Sequence, residues 1–234
     1  SLSTTHAEAC VNGTWAMRWK RDQNPTKDAP LSQVRWFLSQ DSVDWRELYE
    51  WVENVHTHNH KADILVVDGE FDVTVYRLTM AELEGFMPVP NFEIWSDSKM
   101  ESLWEIRIKS ENGVFIPLFD GEWPFPTVGV PQMDGIWLDR IESELIESQI
   151  SNLQVSGIVG LYANLIEKKL LCRPGFKYGC RWRVYAESMD EAHAPWLLSP
   201  EFEAPRNWDG ACLAVRLSAG VHKTWVCACL LYTS

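Results

Sequence analysis

The sequence predicts a mixed α/β (α+β) chain in which one small strand–helix unit occurs twice, with a smaller α+β region between the copies. Three observations lead there. Apolar residues fall at strand spacing in Ala16–Lys20 and Val34–Leu38, and at helical spacing through Leu48, Trp51, Val52 and Val55. The blocks NGTWAMRW, QVRWFLSQDSVDW and NHKADILVV return later, in the same order, as YGCRWRVY, HAPWLLSPEFEAPRNW and VHKTWVCAC. Residues 79 to about 140 change texture, being rich in Pro and Trp and giving no clear period.

Taken in order, Ala16–Lys20 and Val34–Leu38 read as strands on either side of a Pro/Asn/Asp loop. Asp44 stands where an N-cap opens the helix that follows. KADILVVDGEFDVTVYRL then gives two apolar runs joined at Asp68–Asp72, a β-hairpin. In the middle region a short strand is expected at Trp104–Lys109, with loops around Pro117–Pro131. From Ile141, apolar residues at Leu145, Ile146, Ile150, Leu153, Ile158, Leu161, Tyr162, Leu165 and Ile166 predict helix up to about Leu170, with Gly157 and Gly160 as candidate breaks. Pro174-Gly175 ends it and launches a strand toward Tyr185, and His193-Ala194 opens the next.

Composition narrows the classes. No apolar run approaches the ~20 residues of a membrane span, and the first residues lack the layout of a secretory signal. The six cysteines form no C-x-x-C pair, which fits buried thiols in a reducing cytoplasm better than a disulfide framework or zinc site. A net charge of −12 argues against nucleic acid as a partner. Between Leu165 and Tyr185, however, only Glu167 opposes Lys168, Lys169, Arg173, Lys177, Arg181 and Arg183. That run is either a solvated helix end or a phosphate-attracting patch on an acidic body. His56, His58 and His60 alternate and would share a face if extended, but no fourth metal ligand accompanies them.

The C-terminal part resembles the catalytic domain of the tRNA-splicing (tRNA-intron) endonucleases. Gly175, Lys177, Tyr178 and Gly179 fill that family's G-x-K-[FY]-G turn, and Tyr185 follows six residues after Gly179. His193 comes after a short loop, and Arg216 to Lys223 matches the family's R-[LV]-x-x-x-x-x-K segment. The resemblance implies nuclease-like domains, catalysis by Tyr185, His193 and Lys223, and substrate contacts by Arg216 and Lys177. Tyr185 would be the general base, a role for which tyrosine needs a nearby cation to favour its phenolate. Lys223 would supply that charge and stabilise the phosphate in the transition state. His193 would protonate the departing 5′-oxygen.

It further implies cleavage of precursor tRNA at bulged splice sites, leaving a 2′,3′-cyclic phosphate and a 5′-hydroxyl. No metal or other cofactor is required, and DNA is not a substrate because it lacks the 2′-hydroxyl nucleophile. The setting is cytoplasmic, without a membrane partner. A homodimer is implied, in which an acidic loop docks into a basic cleft; Asp41 and Asp44 in SQDSVD stand in the matching place, though they would equally serve a turn and a helix cap. Two rivals stand beside this reading. One is a non-catalytic structural subunit; the other is a metal-dependent DNA nuclease, which would need Glu187, Asp190 and Glu191 to cluster beside a lysine.

Aligning the copies sets Tyr185 against Trp19, His193 against Gln33 and Arg216 against Asn54, while Lys223 keeps its partner Lys61. The expected organisation is a degenerate repeat at 1–78, a smaller α+β domain at 79–145 and a catalytic domain at 146–229. The last residues, Cys229 to Ser234, read as a translated sequencing adapter replacing a C-terminal hairpin.

Overall fold

In a computed structural model of the chain, the structure describes residues 2–3, 10–93, 98–118 and 123–229. These form a mixed α+β fold with three small sheets and five helices among the described residues. Contacts gather them into two compact units. One holds the residues up to Glu82 together with Glu201–Cys229, and the other is Leu83–Pro200.

In the first unit, β1 (Leu2–Ser3), β2 (Ala16–Arg18), β3 (Ser32–Leu38), β4 (Ala62–Val67) and β5 (Val73–Leu78) lie side by side in chain order. Only β3 and β4 run parallel. A parallel pair needs a crossover, and α1 (Trp45–Thr57) supplies it. Asp44 caps α1 by accepting from Glu47 N at 2.9 Å, a cap worth about 1 kcal/mol. The buried face of α1 is the one its periodicity predicts: Leu48, Trp51, Val52 and Val55. They pack on Ala62, Ile64 and Val66 of β4, each large side chain contributing about 1.5–3 kcal/mol. The β4–β5 turn closes on Asp68, whose carboxylate accepts from Glu70 N at 2.9 Å and Asp72 N at 3.0 Å.

Helix α5 (Trp208–Gly220) belongs to this unit and inserts Trp208, Ala211 and Cys212 into the same core. Strand β13 (Thr224–Ala228) follows it, with Trp225 against Trp45 at 5.3 Å between ring centroids. On the sheet's other face Asp63 is 1% exposed and is held by Arg18 and by Arg77, at 2.9 Å from the latter. Burial alone would raise the Asp63 carboxyl, but hydrogen bonds from Arg77, Ser32 and Arg18 outweigh it and hold its pKa below the ordinary carboxylate value.

The second unit contains α2 (Ser98–Glu105), β6 (Ile108–Ser110), β7 (Gly113–Pro117), β8 (Val130–Gln132) and β9 (Gly135–Asp139), its sheet running β6-β7-β9-β8. Next come α3 (Arg140–Ile150), α4 (Gly157–Glu167), β10 (Leu171–Pro174), β11 (Trp182–Tyr185) and β12 (Trp196–Pro200). Asp139 and Glu142 form a capping box at the start of α3. Glu142 is buried beneath Gly129 N, Tyr162 OH and the Arg173 guanidinium. Burial, with the neighbouring Asp139 charge, pushes its pKa up.

Several expectations are corrected. Of the strand expected at Trp104–Lys109 only Ile108–Lys109 is present, in β6; Trp104 lies in the last turn of α2, where Arg107 Nη1 donates to its carbonyl at 2.6 Å. The break expected near Gly157 is present: the helix is two, separated by residues 151–156, with positive φ at Asn152 and at Gly157, the first residue of α4. Helix α4 stops at Glu167 because Lys169 turns left-handed at φ 60°, and Leu171–Pro174 is a strand. Strand β12 begins at Trp196 rather than at His193, since Pro195 has no N–H for a ladder. His56 lies on the last turn of α1 and His58 caps its end, so the three histidines share no extended face.

Candidate active site

The turn before Tyr185 is fixed by two glycines. Gly175 is packed where a Cβ would press into Cys180, and Gly179 takes a left-handed φ of 66°. Between them Phe176–Tyr178 form one 3₁₀ turn that leaves Lys177 exposed. The chain then returns antiparallel to β10, with Pro174 opposite Trp182 and Leu171 opposite Tyr185. Lys177 and Tyr185 therefore occupy opposite ends of this hairpin, whose paired strands from Trp182 to Tyr185 alone span roughly 10 Å.

Side chains alternate along β11. Trp182 packs toward α4, its ring 5.8 Å from that of Tyr162, while Arg183 and Tyr185 take the other face. Tyr185 is 6% exposed and shares a small core cluster with Leu171 and Ala194, with Met87 packed against it. His193 directly precedes Ala194 and is solvent-exposed. The fold therefore draws the expected base and the expected acid to one end of β11. Arg183 adds a positive charge, its guanidinium 5.8 Å from the Tyr185 ring centroid, and is steadied by donating from Nε to Pro174 O at 3.1 Å.

Lys223 and Arg216 belong to the first unit. Lys223 follows the left-handed His222 at the end of α5, its amide donating to Ser218 O at 2.9 Å. Arg216 is exposed on α5, with Nε donating to Cys212 O at 3.4 Å. It lies near the Tyr76 hydroxyl, which burial and Cys212 push up to about 12 against the opposing Arg216 charge.

Asp41 and Asp44 are engaged within the first unit. Asp41 accepts from Leu38 N at 2.7 Å, and Asp44 is the α1 cap. Their loop is also bonded to the start of α5, through Val43 N to Arg206 O at 2.9 Å and Asp209 N to Ser39 O at 2.8 Å. At the positions aligned with the expected catalytic groups, Trp19 is buried and donates to Asp28 O at 2.9 Å. Gln33 is buried and accepts from Val11 N at 3.3 Å. Both are packing groups, whereas Lys61 reaches solvent.

Residues 158–233 match the family model for the tRNA intron endonuclease catalytic C-terminal domain. That stretch is similar to the catalytic domain of this family. Over 199 residues, 85% of the chain, the sequence is 22% identical to a tRNA-splicing endonuclease of Picrophilus torridus, of whose length it spans 59%. The tRNA intron endonuclease match contains Tyr185, His193, Arg216 and Lys223, together with the Gly175–Gly179 turn.

One contributor to the tyrosine's surroundings carries no sequence signal. Met87 reaches Tyr185 from a segment whose period fits neither helix nor strand. Only its backbone bonds, to Lys168, Lys169 and Ala186, reveal its place. Among the described residues, no three His, Cys, Asp or Glu side chains gather as a metal-binding group. None of the helices described is long and apolar enough to cross a membrane.

Proposed function

We propose that this chain is the catalytic part of a tRNA-splicing endonuclease, cutting precursor tRNA at bulged splice sites in the cytoplasm. Tyr185 removes the proton from the 2′-hydroxyl at the junction, and that oxygen attacks the adjacent phosphorus. His193, reachable from solvent, protonates the departing 5′-oxygen, while Lys223 carries charge opposite the phosphate. The P–O5′ bond breaks as the P–O2′ bond forms, leaving a 2′,3′-cyclic phosphate and a 5′-hydroxyl, with no metal required.

The observation that carries the reading is the pairing of Tyr185 with Ala194, next to His193, inside the family-matched stretch. Lys177 and Arg216 serve as substrate contacts in this proposal, and two chains form the working dimer. The first copy, with Trp19 and Gln33 packed inside, is structural.

A bulge–helix–bulge RNA with one 2′-deoxynucleotide at the junction tests the chemistry. The all-ribose RNA should be cut to a cyclic phosphate end and the deoxy RNA should survive. Cutting of both to 5′-phosphate ends would replace this mechanism with water attack.

A further inference from the structure

Arg183 stands two residues before Tyr185 on β11, so both side chains leave the same face of the strand. Its guanidinium lies 5.8 Å from the Tyr185 ring centroid, and its Nε donates to Pro174 O at 3.1 Å across the hairpin. That bond fixes the stem. Among the described residues no carboxylate pairs with Arg183, and no hydrogen bond engages its Nη donors. Directly opposite it in the β10–β11 register is a second arginine, Arg173.

Like charges facing one another across an antiparallel pair are destabilising. The fold answers this for Arg173 alone, which is buried, donates to Cys172 O at 3.2 Å and lies 3.8 Å from Glu142 Oε1. Arg18, Arg35, Arg46, Arg77 and Arg140 each meet a carboxylate as well. In a chain with 33 Asp and Glu against 21 Lys and Arg, packing at position 183 would be served better by a neutral side chain. What the arginine supplies there is a held fork of unused donors, a geometry that matches two oxygens of a phosphate.

We propose that Arg183 binds the scissile phosphate, its Nη groups donating to the non-bridging oxygens while Tyr185 faces the adjoining 2′-hydroxyl. The proposal rests on the endonuclease reading and adds a substrate-binding residue to it. The 2′-hydroxyl and the phosphate it attacks are carried on adjacent carbons of one ribose, so whatever brings the hydroxyl to Tyr185 brings the phosphate to the neighbouring guanidinium. The phosphate gains negative charge as the 2′-oxygen adds. The contact therefore strengthens toward the transition state, and its loss should lower both affinity and rate.

Fluorescence anisotropy with two bulge-containing RNAs tests this. Both carry a 2′-deoxynucleotide at the junction; one keeps the junction phosphate and the other has an uncharged methylphosphonate there. On the charged RNA, Arg183→Gln should raise Kd roughly ten-fold and reduce the slope of log Kd against log salt by about 0.7–0.9, one phosphate contact. Its melting temperature should not fall, and Arg183→Lys, which keeps the charge, should keep the slope. On the methylphosphonate RNA, wild type and Arg183→Gln should bind alike. Single-turnover cleavage of the all-ribose RNA should slow roughly 10²-fold in Arg183→Gln. Equal Kd and slope for wild type and Arg183→Gln on the charged RNA overturn the proposal. An equal loss on both RNAs overturns it too, by assigning Arg183 to another phosphate. Binding that depends on Arg183 and on the junction charge, without cleavage of all-ribose RNA by the wild type, would keep the phosphate contact and reject the catalytic reading.

Discussion

Replacing Tyr185 with phenylalanine removes one oxygen and leaves the ring in place. The ring packs against Leu171, Ala194 and Met87, and each of those contacts survives in the variant. A hydroxyl contributes about 1 kcal/mol at most through a single net hydrogen bond, which in a protein of this size moves Tm by only about 2–4 °C. Loss of a general base costs far more, roughly 10²- to 10⁴-fold in rate, or about 2.7–5.5 kcal/mol of barrier. Tyr185→Ala differs, since emptying a nearly sealed site costs about 3–5 kcal/mol of stability in addition to the chemistry. Single-turnover cleavage of a bulge-containing RNA, read beside thermal melting, separates the two contributions. A Tyr185→Phe protein that melts normally and cuts at the wild-type rate would leave Tyr185 as a packing residue only.

His193 is exposed, so His193→Ala should leave melting unchanged and slow cleavage by roughly 10²-fold or more; equal losses in RNA affinity and rate would point to a binding role. Lys223→Ala should remove most activity while Lys61→Ala leaves it intact, because the groups beside Lys61 cannot transfer protons; steady-state cleavage by both variants checks this, and the opposite ranking would exchange the active and inactive copies. Asp63→Asn should destabilise by about 2 kcal/mol, less than for a fully buried pair because Arg18 and Arg77 both reach solvent. The Asp63 carboxyl is held below its ordinary pKa, so its contribution is complete above the unfolded-state value and disappears as pH falls through the folded-state value. Denaturation of wild type and Asp63→Asn should therefore converge in acid, and a gap independent of pH would reject the ionic role.

What could be read from the sequence was what local chemistry determines. Asp44 and the Leu48–Val55 period define α1 within one stretch of chain, and Asp68 closes its hairpin through amides two and four residues away. The glycine-bounded turn and the strand end at Tyr185 were legible through the family resemblance, with Pro174-Gly175 as the local signal that a strand begins. Trp104 was misread because the few apolar residues around it fit a short helix and a short strand equally well. The packing of α5 with α1 and β4 joins residues far apart in the chain, and no local pattern reports it. The segment Gly85–Met87 is bound by main-chain groups alone, which every sequence possesses. Asp63 reads as one charge in an apolar strand until β2 and β5 bring Arg18 and Arg77 to it.

Incubating the wild-type chain with a bulge–helix–bulge RNA in excess EDTA, and resolving the products by length and end chemistry, addresses the proposed reaction most directly. Cleavage at the bulges at an undiminished rate, giving cyclic phosphate ends, is the expected result; RNA left intact in EDTA but cut when magnesium is restored would contradict it.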